Sequence, residues 1–185
     1  MDTREQIMTV ARAMVQSHGY NALSFREIAK AIGVKSASIH YHFPTKGDLG
    51  AALADRYAQE AEQAFARLSL SPQDREATMA AYLAPFRAAL LNENRMCLYG
   101  IMVAEHDDLP DEVRRQVNRF TEVNTDWLER VTASFYPKVP EAERRARALA
   151  MFSAIEGAQL IARGRADITV FDATISAYRN AGLLP

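Results

Sequence analysis

An all-α protein of about nine helices is the fold this sequence predicts, and three observations carry it. Apolar residues recur at spacings of three and four in most segments. No stretch alternates with the period of a strand for any length. The periodic segments are separated by Gly, Pro and Asn/Asp breaks. With 185 residues and 49% hydrophobic content, the chain can bury a good core as one or two domains.

The elements follow in order. Ile7, Val10, Ala11, Met14 and Val15 give the first helix an apolar stripe, and His18-Gly19 closes it. Ser24 followed by Glu27 forms a capping box, with Leu23 and Ile28 placed to staple that entry. The second helix runs from about Phe25 to Ile32. Its inward stripe is Ile28, Ala29 and Ile32, Arg26 and Lys30 point outward, and Gly33 ends it. A third helix spans about Ser36 to Phe43, with Ile39 and Phe43 toward the core and Ser36, Ala37, His40 and Tyr41 on the opposite face. Pro44 cannot continue it, and Thr45 can cap the next helix, which has Lys46 and Asp48 in its first turn.

Two short helices across a Gly-Val turn form a helix-turn-helix over residues 24–43. A short residue, a methyl group and two hydrogen-bonding rings suit base edges and phosphates. Lys46 and the free N–H groups at its helix start suit phosphate. A surface hairpin inside some other bundle is the plain alternative. The segment resembles the N-terminal domain of the TetR family of bacterial transcriptional regulators in Ser24, Ile28, Ala29, Gly33, Val34, Ala37, Ile39, Tyr41, His42, Phe43, Lys46 and Leu49. Two residues depart from that pattern. Lys35 replaces the serine usual before the recognition helix, which passes the cap role to Ser36. Ala37 replaces a common glycine. The resemblance implies that Ser24, Ser36, Ala37, His40, Tyr41, Thr45 and Lys46 contact DNA.

Beyond the motif, an alanine-rich helix from Asp48 to about Leu68 links residues 1–48, the expected DNA-binding domain, to residues 49–185. Leu49, Leu53, Tyr57 and Phe65 mark its contacts. After a loop at 69–73, helices are expected at about 75–93, 96–105, 111–135, 141–164 and 169–181. In the fourth of these counted from Asp48, Val113, Val117, Phe120, Asn124, Trp127, Val131 and Phe135 form one stripe interrupted by Asn124. Glu156 interrupts the next, between Phe152 and Leu160. Buried polar groups must be paired, so each bonds a neighbouring helix or faces a wet cavity. The family resemblance implies an effector pocket, with Tyr82, Phe86, Met102, Asn124, Trp127, Phe152 and Glu156 as lining; the alternative is ordinary core.

The last two helices are richer in small residues. Ala150, Ala154, Gly157 and Ala158, with Ile155 and Ile161, allow close helix approach, and Val170, Phe171, Ile175 and Tyr178 add a second apolar face. The resemblance implies a four-helix dimer interface here, with Ala150, Ala154, Gly157, Ala158 and Ile161 in it; packing within one chain is the alternative.

Charge and chemistry narrow the function. Formal net charge is −1, divided as +2 over residues 1–50 and −3 over the rest, so any DNA affinity is local. Cys97 is the single cysteine, which excludes an intramolecular disulfide; beside Arg95 it is either inert or a sensor of electrophiles. No signal peptide or long apolar span is visible, so a soluble, cytoplasmic protein without membrane partners is expected. His40 and His42 diverge on a helix and cannot chelate together, and Glu105-His106-Asp107-Asp108 reads as a solvated loop rather than a metal site. No nucleophile arrangement or phosphate loop occurs, so no catalysis, metal or cofactor is expected. The expected function is a homodimeric repressor that binds a palindromic operator in double-stranded DNA and releases it on binding a small-molecule effector. The competing class is a helical-bundle enzyme or carrier that keeps a helix-turn-helix as scaffold.

Overall fold

A computed structural model describes residues 2–185. Among them are nine α-helices, three short 3-10 turns and no strand. The helices fall into two compact units, and the first is discontinuous. It takes the chain up to Gln59 together with Cys97–Phe120, while the second takes Glu60–Met96 and Thr121–Pro185.

In the first unit, α1 (Thr3–His18) ends at Gly19 and leads through a 3-10 turn at Tyr20–Ala22 into α2 (Phe25–Ile32) and α3 (Ser36–His42). Local chemistry sets these boundaries. The Ser24 Oγ accepts from the Glu27 N–H at 3.3 Å. Gly33 adopts the left-handed conformation at φ 73°, and its N–H returns to the last turn of α2. Lys35 occupies the cap of α3 without a side-chain bond, and Ser36 is already helical. The expectation that Ser36 caps this helix is therefore incorrect; α3 relies on its N-terminal backbone alone.

The long α4 (Lys46–Phe65) begins in a reciprocal cap, in which Thr45 N–H and hydroxyl donate to the Asp48 carboxylate at 3.0 and 2.8 Å and Asp48 N–H donates to the Thr45 hydroxyl at 3.0 Å. Its middle closes on α1 through a bidentate ion pair, Arg56 to Glu5, with both bonds at 2.7 Å. That pairing, led by the Arg56 hydrogen bond, holds the Glu5 carboxyl below its usual range.

Residues remote in sequence finish this core. From α6 (Leu98–Ala104), the start of α7 (Asp111–Phe135) and the segment between them, Leu98, Met102, Leu109, Val113 and Val117 pack with Ile7, Met8, Ile28, Ile39, Phe43 and Leu49. Gly50 is required at a close approach of rings and methyls, since a Cβ there would lie 2.6 Å from Tyr20 Cε2 and 3.1 Å from Val113 Cγ2.

The second unit holds the end of α4, α5 (Arg75–Leu91), most of α7, α8 (Glu141–Arg165) and α9 (Ile168–Asn180). Phe135, Met151, Phe152, Ile155, Phe171 and Ile175 are buried in it. Pro85 lies inside α5 and contributes no N–H. At the next residue, the buried Gln159 donates through Nε2 to the Phe86 carbonyl at 2.7 Å and ties α8 to α5. On α9, Asp172 receives a bidentate Arg87 at 2.9 Å.

Candidate DNA-reading face and ligand site

The outer face of α3 is open. Ser36, Ala37, His40 and Tyr41 are exposed, Tyr41 at 85%, while Ile39 and Phe43 hold the helix to the core from the other side. Two ring contacts stiffen the face: His40 packs edge-on against Phe25, and Tyr41 against His42. His40 Nδ1 lies 3.2 Å from the Pro44 carbonyl, a group that can only accept. Nδ1 therefore carries the proton of this hydrogen bond.

At the start of α4, Thr45 caps the helix as expected, and the Asp48 carboxylate in its first turn occupies the Thr45 N–H and hydroxyl. Lys46 folds back, donating through Nζ to the Asn21 carbonyl at 3.1 Å with its ammonium 4.5 Å from the Tyr20 ring centre. Burial lowers its pKa, against the opposing pull of Glu105 and Asp108. Arg26, Lys30 and Lys35 are the exposed cations on and beside α2 and α3.

Sequence reasoning missed a clasp behind this face. Glu105 and Asp108 belong to the run read as a solvated loop, and His106, Asp107 and Asp108 are exposed as that reading expects, but the Tyr20 N–H donates to the half-buried Glu105 carboxylate at 2.5 Å and Asn21 Nδ2 donates to Asp108 at 2.7 Å. Burial, with Glu112 adding to it, pushes the Tyr20 phenol up to about 12. Nothing local in the sequence joins positions 85 residues apart. Cys97 is buried at the N-cap of α6, where its sulfur accepts from the Gly100 N–H at 3.1 Å.

Of the seven residues named as pocket lining, the structure brings six into the second unit and leaves one out. Met102 packs in the first unit's core with Leu98 and Val117. Asn124 is fully buried, and Tyr82 donates its hydroxyl to Asn124 Oδ1 at 2.9 Å. The Trp127 ring stacks at 4.8 Å on both Tyr82 and Phe65, which are themselves 5.4 Å apart. Phe86 and Phe152 are buried and Glu156 is half-buried. The apolar run around Glu156 stops short of Leu160, which is exposed. A groove of 220 Å³ opens beside this cluster, lined by Glu62, Phe65, Ala66, Val123, Asp126, Trp127 and Arg130.

One face of α8 is apolar and uncovered. Leu149, Ala150, Leu160 and Ile161 are exposed along it, with Ala154 and Gly157 partly so. Ala158 is not on that face; it is 1% exposed and packs inside its own chain, as Ile155 does. Among the described residues no helix is long and apolar enough to cross a membrane.

Comparison with known proteins places this architecture. The family profile "Bacterial regulatory proteins, tetR family" matches residues 7–53. Over 48 residues the chain is 42% identical to the HTH-type transcriptional regulator AcrR of Shigella flexneri, a match covering 26% of this chain and 22% of that protein. The crystal structure of a TetR transcriptional regulator from Legionella pneumophila is 32% identical, with a TM-score of 0.87 over 98% of this chain and 97% of that one. A TetR-family regulator from Agrobacterium tumefaciens is 29% identical, with a TM-score of 0.82 over 93% of each chain. The open α3 face, the nine-helix architecture and near full-length similarity at this identity agree, and the chain belongs to the TetR family of transcriptional regulators, which are not enzymes.

Proposed function

We propose that this regulator is a homodimeric repressor that binds a palindromic operator and leaves it when a small molecule enters the second unit. The observation that carries the reading is the open face of α3: four residues able to meet base edges and phosphates on a helix anchored from behind. Residues 1–48 supply the DNA contacts and 49–185 supply the effector site and the dimer. Ser36, Ala37 and His40 select the bases; Tyr41 reaches phosphate, and Lys46 does so after letting go of Asn21. Ser24 and Thr45 hold the two helix starts in place beside the duplex.

The uncovered apolar strip of α8, with Ala150, Ala154, Gly157 and Ile161, forms the dimer face. An exposed row of this kind on one helix is the usual mark of a partner surface. Two α3 helices related by a two-fold axis then meet half-sites about one turn of DNA apart or somewhat more. Binding chromosomal DNA puts the protein in the cytoplasm.

Tyr82, Phe86, Asn124, Trp127, Phe152 and Glu156 form the effector region, and α4 links it to the helix-turn-helix. A ligand changes operator affinity only if it binds one arrangement better than the other. Gel shifts on DNA from around the protein's own gene, repeated with small-molecule libraries, test the proposal. Retarded DNA that contains a near-palindrome and is freed by a ligand supports it. Failure to retard any such DNA more than random duplex refutes it.

A further inference from the structure

Trp127 carries a polar atom that the fold does not use. Its indole Nε1 is buried and has no hydrogen-bond partner, although Tyr82 and Asn124 nearby are bonded to each other. An unpaired buried N–H is costly, so a site that keeps one is suited to an acceptor from outside. Phe65 and Tyr82 stand too close together to lie on opposite faces of the indole, so both share one side of it. Phe65 and Trp127 also line the 220 Å³ groove.

We infer that this groove binds a flat, uncharged aromatic molecule of about two fused rings that moves Phe65 aside and so brings its carbonyl oxygen to the buried Trp127 indole N–H. The inference deepens the proposed effector reading and rests on it for a regulatory consequence, but the binding itself does not. Size follows from volume, because the groove is smaller than the roughly 300–1,000 Å³ of pockets for drug-sized ligands. Absence of charge follows from the rim. Asp126 is held by Arg145 at 2.8 Å, and Glu62 and Arg130 are of opposite sign, so neither a cation nor an anion meets a surplus of its counter-charge. Aromaticity follows from the two ring side chains in the lining. Phe65 is also the last residue of α4, the helix that begins at Lys46. A ligand that displaces Phe65 therefore acts on the end of that helix.

Two probes of equal shape isolate the hydrogen bond: coumarin, which has a ring carbonyl, and naphthalene, which has none. The chain contains one tryptophan, so a ¹⁵N–¹H spectrum of the full-length protein shows a single indole cross-peak. Coumarin is expected to bind at least about fivefold more tightly than naphthalene, the minimum for satisfying a buried donor, and to move the indole proton downfield while naphthalene does not. Trp127→Phe should bring coumarin down to the affinity of naphthalene. The wild-type spectrum decides the matter if that variant does not fold.

Equal affinities with an unmoved indole peak, or no binding of either probe, overturn the inference. Coumarin seated on the indole with operator affinity unchanged supports it and overturns the release mechanism instead. Operator release by some other ligand, with coumarin failing to bind, overturns this inference and leaves that mechanism standing.

Discussion

Tyr82 and Asn124 allow a quantitative test of the second unit's core. Both are buried, and one 2.9 Å bond joins them. Tyr82→Phe removes the donor and leaves Asn124 Oδ1 without it in a place water does not reach, at about 1–3 kcal/mol. At roughly 2–4 °C per kcal/mol for a chain of this length, the melting midpoint should fall by about 2–12 °C. Asn124→Leu takes from the Tyr82 hydroxyl the acceptor it has in Asn124, at a similar cost. The two losses share one bond, so the double variant should be less destabilised than their sum by about 1 kcal/mol or more. Urea unfolding followed by circular dichroism, at one protein concentration for all four proteins, gives each value. Additivity to within about 0.5 kcal/mol would show that the bond stabilises nothing and refute the reasoning.

Four further outcomes are expected. A Cβ at Gly157 would meet nothing within 4 Å in its own chain, so Gly157→Arg should fold normally yet sediment as a monomer; a persistent dimer would move the interface elsewhere. Gly50→Ala should lose about 1–3 kcal/mol by overpacking against Tyr20 and Val113, read by urea unfolding. Lys46→Gln should weaken binding to specific and random DNA alike and lower the salt slope by about one, measured by titration at several salt concentrations. The Tyr20 phenol titrates later in the folded chain than in the unfolded one. Its share of stability is therefore complete below pH 10 and lost as pH rises toward about 12, and Tyr20→Phe should flatten that part of the alkaline unfolding curve.

Short-range chemistry made most of the fold legible. The Ser24 cap and Gly33 bound α2 at the predicted residues, and α7 spans the expected Asp111–Phe135. Periodicity also placed Asn124 among buried neighbours, though which side chain would bond it depended on packing between helices. Long-range geometry stayed hidden. Glu105 and Asp108 look like solvent-facing acids until Tyr20 and Asn21 come beside them. A methionine at helical spacing does not say which core it joins, and Met102 joins the first. Ala158 and Gly157 are adjacent small residues with opposite surroundings, a distinction of about 100° around one helix that composition does not encode.

The split composition of the first unit also governs how the protein is made. On the ribosome, α1, α2 and α3 emerge well before Leu98, Met102, Leu109, Val113 and Val117, which seal their common core. During that interval Ile7, Met8 and Leu49 lack part of their cover, and the Tyr20 N–H lacks its carboxylate. Folding of the amino-terminal unit is thus completed only after synthesis passes about Phe120, with the intervening α5 already made. A truncated product ending near residue 60 carries the entire helix-turn-helix yet lacks Leu98, Met102, Leu109, Val113 and Val117 from its core and exposes the apolar surface they cover. Transplanting this module onto another protein requires carrying both of its segments.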